Sequence, residues 1–297
     1  MLRRVAIALV SLLLTVVFSI SGVAQTNPPE SVLDRVARTG VLNAGTRTDA
    51  PPFAYLDAEG QWVGYSLEML YLIQAGLEQQ LNRQVQLNLV EVNMADRISK
   101  VKQREIDIVC SSTSLTANRE LQSDFSVGYF QTGTQFLTKK GHVPSPPELR
   151  IGVVRGASNE YPLESQFRLA KLMRFANRAE GLQALTVGQI DALASDGILL
   201  EGLRQTLPYP EEFEIVPAQP FNLEVYACAL PQGDPDFRAL VNQQLIAFMQ
   251  SVVNNDSRSV SLFDAWFGAT GVAPVDRAQM LDYFRQTIAS YEQNLQN

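Results

Sequence analysis

Along the chain, short apolar runs of β-type residues alternate with stretches in which apolar positions recur every three or four residues. This alternation predicts an α/β protein with a mainly parallel sheet. In a first unit the expected strands are Val41 to Gly45, Val85 to Val90, Ile106 to Cys110 and Thr134 to Thr138. The helical period falls between them at Ser31 to Arg38, Ser66 to Leu81 and Ala95 to Gln103, the last opened by Asn93 as N-cap with Asp96 at N3. Lys139 to Pro147 is crowded with turn formers and reads as a surface loop. The alternation then restarts, with strands at Arg150 to Val154, Leu172 to Phe175, Asp191 to Ser195 and Phe213 to Val216. Helices are expected between them at Glu160 to Ala170, Gly181 to Val187 and Gly197 to Thr206.

The tail changes the topology. Val225 to Leu230 reads as a strand, but Pro235 to Gln250, Ser259 to Phe267 and Asp276 to Gln293 read as helices, too few strands for a third sheet. The economical solution sends the tail back to the first unit, so that the chain crosses twice between lobes. The expected boundaries are residues 30–130 and 223–297 for the first lobe and 134–217 for the second. Crossover hinges near 129–133 and 217–222 would flank a cleft between the lobes.

The N-terminus reads as a signal peptide over residues 1–24. Met1 to Arg4 is basic, Val5 to Ile20 is uncharged and apolar, and Ser21-Gly22-Val23-Ala24 supplies small residues for cleavage after Ala24. The apolar run is short for a membrane anchor, and no cysteine follows it to carry a lipid.

Composition narrows the chemistry. With 46% hydrophobic and 19% charged residues, the chain is neither disordered nor a small disulfide scaffold. The single histidine, His142, leaves too few ligands for His/Cys zinc sites and no cofactor is implied. The formal charge is −7, and losing Arg3 and Arg4 with the signal peptide gives (24 − 2) − 31 = −9. Such a field repels nucleic acid and anionic lipid, so any clustered arginines inside it stand out. Cys110 and Cys228 both end up in strand-like runs, either as a disulfide suited to an exported protein or as two buried thiols.

Two strand-to-helix junctions carry polar groups where open α/β sheets bind ligands. One is Ser111 to Arg119 and the other Arg155 to Glu160. A free amino acid needs a guanidinium and hydroxyl donors for its α-carboxylate and a carboxylate for its ammonium. Arg119, Ser112, Ser114 and Ser158 have the chemistry for the first, and Asp196, between a strand and a helix, for the second. On composition alone each also fits a turn or a helix cap.

Gly40 to Thr46, Pro52 to Gly60, Gly64 to Met69, Ser111 to Arg119, Gly188 to Asp196 and Tyr226 to Pro235, taken in order, resemble the polar amino-acid binding proteins of bacterial ABC importers, solute-binding protein family 3. Gly64-Tyr65-Ser66, Cys110 to Ser114 and Tyr226-Ala227-Cys228 are most similar to the glutamate/aspartate-binding branch, although many members carry an acid where this chain has Ser66. The resemblance implies a two-lobed α/β fold of the type II periplasmic-binding class and a protein that is not an enzyme. It implies a periplasmic monomer that captures an acidic or polar L-amino acid by hinge closure and delivers it to a membrane permease, with no nucleic-acid partner. It also implies that Arg119 clamps the α-carboxylate, helped by Ser112, Ser114 and Ser158 with Ser111 among the ligand-binding residues, that Asp196 holds the ammonium, that Arg47 and Arg97 reach the distal carboxylate, and that Arg178 lies where that branch has another polar contact. Phe53 is expected either to wall the cleft or to fill core, and Cys110 and Cys228 match paired positions of that branch. The rival expectation is a secreted enzyme of the same fold, such as a dehydratase acting on a small carboxylic acid, with Glu160 and Glu180 as its suspect acids.

Overall fold

The computed structural model describes residues 29–141 and 148–296; the expected signal peptide and His142 lie outside the described residues. Ser31 accepts the Asp34 N–H and starts helix α1 (Val32–Thr39), which ends on Gly40 in the left-handed conformation at φ 74°. Strand β1 (Val41–Thr46) follows, then a separate three-stranded sheet of β2 (Asp49–Ala50), β3 (Ala54–Leu56) and β4 (Trp62–Val63) that the sequence pattern did not reveal. Helix α2 (Tyr65–Leu81) begins where Pro52 and Phe53 offer their carbonyls to the Tyr65 and Ser66 N–H groups. Gly64 is required there, because its φ is 140° and a Cβ would lie 2.0 Å from the Phe53 carbonyl oxygen.

Strand β5 (Gln86–Glu91), helix α3 (Arg97–Lys102), strand β6 (Ile108–Val109) and the short helix α4 (Ala117–Glu120) complete the first run. The helix expected from Ala95 starts later, at Arg97, although Asn93 and Asp96 do exchange the reciprocal bonds of a capping box. The strand expected from Ile106 is only two residues long because Asp107 leaves the ladder to act as a tie. Its carboxylate accepts from Arg35 Nε at 2.9 Å and from the Asn43 N–H at 2.7 Å, while its own N–H donates to Asn43. The second lobe repeats the device. Asp191 accepts from the Arg150 N–H at 2.8 Å and from Arg150 Nε at 2.9 Å, and its N–H donates to the Arg150 carbonyl. In both places a buried aspartate satisfies a strand edge and an arginine together.

The largest departure is β7, a single strand over Asp124–Lys139 where only Thr134 to Thr138 was expected. Its first half pairs with the return strand β12 (Leu223–Leu230), and its second half with β10 (Ala192–Asp196) and β11 (Phe213–Val216). β8 (Arg150–Val154) and β9 (Lys171–Phe175) extend the second half, giving the order β5-β1-β6-β12-β7-β10-β8-β9. The outer pairs are parallel, but β7 runs antiparallel to β10, β11 and β12 and β12 antiparallel to β6, so the mainly parallel sheet becomes two parallel wings around an antiparallel centre. The reason is the double crossing: the outgoing and returning strands traverse the molecule in opposite directions.

Helices α5 (Glu160–Gln166), α6 (Arg178–Thr186) and α7 (Gly197–Arg204) fall among strands β8 to β11, and α8 (Pro235–Val253), α9 (Ser257–Phe267) and α10 (Arg277–Gln296) follow β12. One large core joins α2, α8, α9 and α10 to β7 and β12, with Trp62 and Trp266 packed against it, while two smaller cores lie around Ile151 and Leu193. None of the described helices is long and apolar enough to cross a membrane.

Cys110 and Cys228 are bonded, joining the end of β6 to β12 across a sequence separation of 118 residues. On the chain-entropy account a loop of that size adds at most about 5 kcal/mol of stability. The double variant Cys110→Ala/Cys228→Ala is therefore expected to melt well below the parent chain; coincident melting curves would contradict this.

Candidate functional site

Every polar residue singled out for binding lies at or just beyond the carboxyl end of a strand or in the loop or helix that follows. Arg47 follows β1, Ser111 to Ser114 follow β6 and lead into α4 with Arg119, Ser158 follows β8, Arg178 opens α6 after β9, and Asp196 ends β10. Arg97 opens α3 after β5. Such strand ends leave backbone donors and side chains facing the crevice. The Ser111 to Ser114 loop is stitched to the return strand: the Ala227 N–H donates to the Thr113 carbonyl at 3.1 Å, and the Leu115 N–H to Val225 at 2.9 Å.

The structure brings four guanidiniums together. Arg97 is fully enclosed; burial, and then the Arg119, Arg47 and Arg178 charges, push it well below the ordinary arginine range. Arg178 is pushed down as well, by burial first and then by Arg47, while Asp49, Tyr226 and Asp196 act in the other direction. Arg47 is paired with Asp49, its Nε donating at 2.8 Å. Partial burial raises the Asp49 carboxyl, but Arg47, Arg178 and Arg97 outweigh it and hold the group below the usual range. Among the described residues Arg97 and Arg178 have only neutral hydrogen-bond partners: Arg97 Nη1 donates to the Ser112 carbonyl at 2.9 Å and Arg178 Nε to the Ser195 hydroxyl at 3.1 Å. Arg47 Nη1, Arg97 Nε and Arg178 Nη1 are buried with no hydrogen-bond partner among the described residues, and so are the hydroxyls of Ser111, Ser112 and Thr113. Buried donors left this way cost several kcal/mol in total unless something accepts from them.

The same region holds a carboxylate pair. Asp196 accepts from the Tyr226 hydroxyl and from Asn159 Nδ2 at 2.8 Å. Asn159 also donates to Glu224 at 3.0 Å and contacts Thr134 Oγ1 at 2.7 Å, which places Asp196 and Glu224 around one amide. Glu224 accepts from the Ser114 hydroxyl and from the Ser158 hydroxyl at 2.5 Å. Burial and the Asp196 charge push its carboxyl up, and the bonds from Ser114, Ser158 and Asn222 pull the other way. Arg119 faces both acids. Its Nη1 donates to the Ser114 carbonyl at 2.8 Å, burial lowers its proton affinity, and the Glu224 and Asp196 charges raise it.

Glu224, Asn159 and Asp49 were not expected among the polar contacts. Glu224 carried a usable signal, since it is a lone acid in the apolar strand Leu223–Leu230, two positions from Tyr226 and therefore on the same face. Ser114 and Ser158, expected to face a ligand, are engaged by Glu224 in this arrangement. Phe53 is wholly buried, edge-on to Phe130 at 4.9 Å and to Tyr226 at 5.0 Å, which places it in the aromatic core behind Tyr226. Tyr65 lies in the same cluster. The suspect acids are otherwise occupied: Glu160 pairs with Arg174 and accepts the Gly156 N–H, and Glu180 accepts the Ala176 N–H at the start of α6. Among the described residues no cluster of His, Cys, Asp and Glu has the make-up of a metal site.

Comparison with known proteins places the chain in a family. The sequence model of the bacterial extracellular solute-binding proteins, family 3, matches residues 42–269. The glutamate/aspartate import solute-binding protein of Escherichia coli (strain K12) is 29% identical over 90% of this chain and 89% of its own length. The L-glutamate/L-aspartate-binding protein of Pseudomonas aeruginosa is 28% identical over 79% of each chain. Among solved structures, a cysteine-binding protein from Campylobacter jejuni superposes with a TM-score of 0.70 at 21% identity, over 83% of this chain and 96% of that one, which establishes the shared fold.

Proposed function

The chain belongs to the bacterial extracellular solute-binding proteins of family 3, and on that premise we propose that it captures an acidic L-amino acid, glutamate or aspartate, in the periplasm and delivers it to the membrane permease of an ABC importer. The observation that carries the acidic specificity is the set of buried guanidinium donors on Arg47, Arg97 and Arg178 without a partner among the described residues, beside the hydrogen-bonded carboxylates of Asp196 and Glu224. A dicarboxylic amino acid matches that division. Its ammonium goes to Asp196, its α-carboxylate to Arg119 and the Ser112 hydroxyl, and its distal carboxylate to Arg47, Arg97 and Arg178. Ser114 and Ser158 turn from Glu224 to the α-carboxylate as the ammonium neutralises the paired acids.

Charge supports the same reading. In a protein this acidic overall, a buried cluster of four guanidiniums against Asp49, Asp196 and Glu224 leaves an excess of positive charge, which an anionic amino acid offsets. Capture works by closure. Arg119 and Ser112 belong to the proposed first lobe, Asp196, Arg178 and Ser158 to the second, and the bend falls near 129–133 and 217–222. Only the closed form meets both ends of the ligand, so binding shifts the population toward it.

The relatives with transport names and the engagement of Glu160 and Glu180 in a cap and a surface ion pair favour binding over catalysis. A thermal-shift screen of the chain beginning at Gln25 against the free amino acids, with calorimetry on the hits, tests the proposal. Glutamate or aspartate at 100 times its Kd is expected to add about 2.7 kcal/mol of stability. A response to uncharged polar amino acids equal to that for glutamate would refute the acidic specificity, and turnover of a small acid followed by NMR would restore the dehydratase reading.

A further inference from the structure

The three arginines assigned to the distal group supply more than a carboxylate uses. Arg47, Arg97 and Arg178 come from three different elements, the end of β1 and the starts of α3 and α6, and each presents one buried N–H donor without a partner among the described residues. Of the three, only Arg47 has a carboxylate partner, Asp49. Arg97 and Arg178 donate to a carbonyl and a hydroxyl, which leave their charges in place. Among the described residues two buried cations thus lack a directly bonded anion, and three charged donors, carried on arginines close enough to act on one another, are left without an acceptor.

A carboxylate brings one negative charge and two oxygens confined to a plane. A tetrahedral oxyanion brings three oxygens spread around an axis, one for each guanidinium, and in the phosphorus case between about one and a half and two negative charges. Guanidiniums are suited to such groups because their donors form rigid forks that match oxyanion geometry. Resting on the amino-acid-binding reading above, we propose that the preferred ligands of this site are α-amino acids whose side chain ends in a tetrahedral oxyanion, a sulfonate or a phosphonate or phosphate group. Asp196 and Arg119 treat the α-amino and α-carboxylate groups as they treat those of glutamate, so the discrimination resides at the far end of the ligand.

The test is calorimetry at pH 7.5 with three ligands of equal chain length: L-glutamate, L-homocysteate and L-2-amino-4-phosphonobutyrate. At least one of the two tetrahedral analogues is expected to bind fivefold or more tighter than glutamate. Equal gains for sulfonate and phosphonate would assign the preference to the third oxygen, and a gain for the phosphonate alone to the second charge; either outcome supports the proposal. In Arg178→Gln, verified as folded by its melting transition, the advantage over glutamate is expected to fall below threefold. A ratio below fivefold for both analogues overturns the tetrahedral preference while leaving glutamate binding intact. Silence from all three ligands and from the remaining free amino acids overturns the amino-acid-binding reading itself.

Discussion

Asp196→Ala is expected to reduce the affinity for glutamate at least a hundredfold while the chain still folds. The carboxylate is buried and already oriented by Tyr226 and Asn159, so the ammonium of a ligand meets an acceptor that needs no reordering. Truncating one partner of a buried, hydrogen-bonded charge pair costs about 2 to 5 kcal/mol, which spans roughly thirtyfold to several thousandfold in Kd. The fold survives because Asp196 makes no side-chain bond to the helix it precedes. Its removal frees the Tyr226 hydroxyl and one Asn159 contact, about 1 to 3 kcal/mol each at most, but it also relieves the repulsion that raises the Glu224 carboxyl. Calorimetry and a thermal melt on the same sample decide the matter. Near-native affinity would remove Asp196 from the site, and loss of the folding transition would make it a structural residue.

Arg97→Met separates stability from binding in the opposite sense. Arg97 is the most completely buried cation of the cluster, and burial together with three neighbouring guanidiniums disfavours its charge. Burying a cation costs desolvation that only a well-placed partner repays, and among the described residues no ion-pair partner is stranded by its replacement with an apolar side chain of similar length. The bond to the Ser112 carbonyl is the main loss. The variant is expected to melt above the parent in the absence of ligand and to bind glutamate at least thirtyfold more weakly. A variant that melts lower and binds normally would mean that Arg97 is held for the Ser112 carbonyl alone. The gain and the loss have one cause, since the energy stored in an uncompensated cation is what an anionic ligand recovers.

Much of this was legible in the sequence because it rests on local rules. The strand-to-helix junctions follow from periodicity and draw attention to Ser112, Ser114, Arg119, Ser158 and Asp196 at strand ends, whereas Arg47, Arg97 and Arg178 came into view only through the family resemblance. β7 was not legible as one strand because Gly128 and Gly133 break its β-type run. The structure gives both glycines a reason: a Cβ on Gly128 would lie 2.1 Å from Val225, and one on Gly133 1.9 Å from the Asn222 carbonyl oxygen. They mark where the returning chain presses against the outgoing one, a tertiary fact with no local signature. β2, β3 and β4 are two or three residues long, too short for any period to show. Glu224 escaped because its partners, Ser114, Ser158 and Asn159, lie 110, 66 and 65 positions away.

The position of β12 between β6 and β7 constrains the order in which the molecule can assemble as it is synthesised. β7, β8, β9, β10 and β11 fall within one stretch, residues 124–216, and can pair with one another as soon as that stretch is available. The sheet of β5, β1 and β6 is made earlier, yet β6 has no inner neighbour until residues 223–230 arrive, and the large core has no α8 until later still. The sheet of residues 124–216, though translated later, can therefore close first, and the older N-terminal strands wait with an open edge and an uncovered apolar face. That interval is when the chain is most open to off-pathway pairing, and it lasts until β12 slots in and brings Cys228 to Cys110.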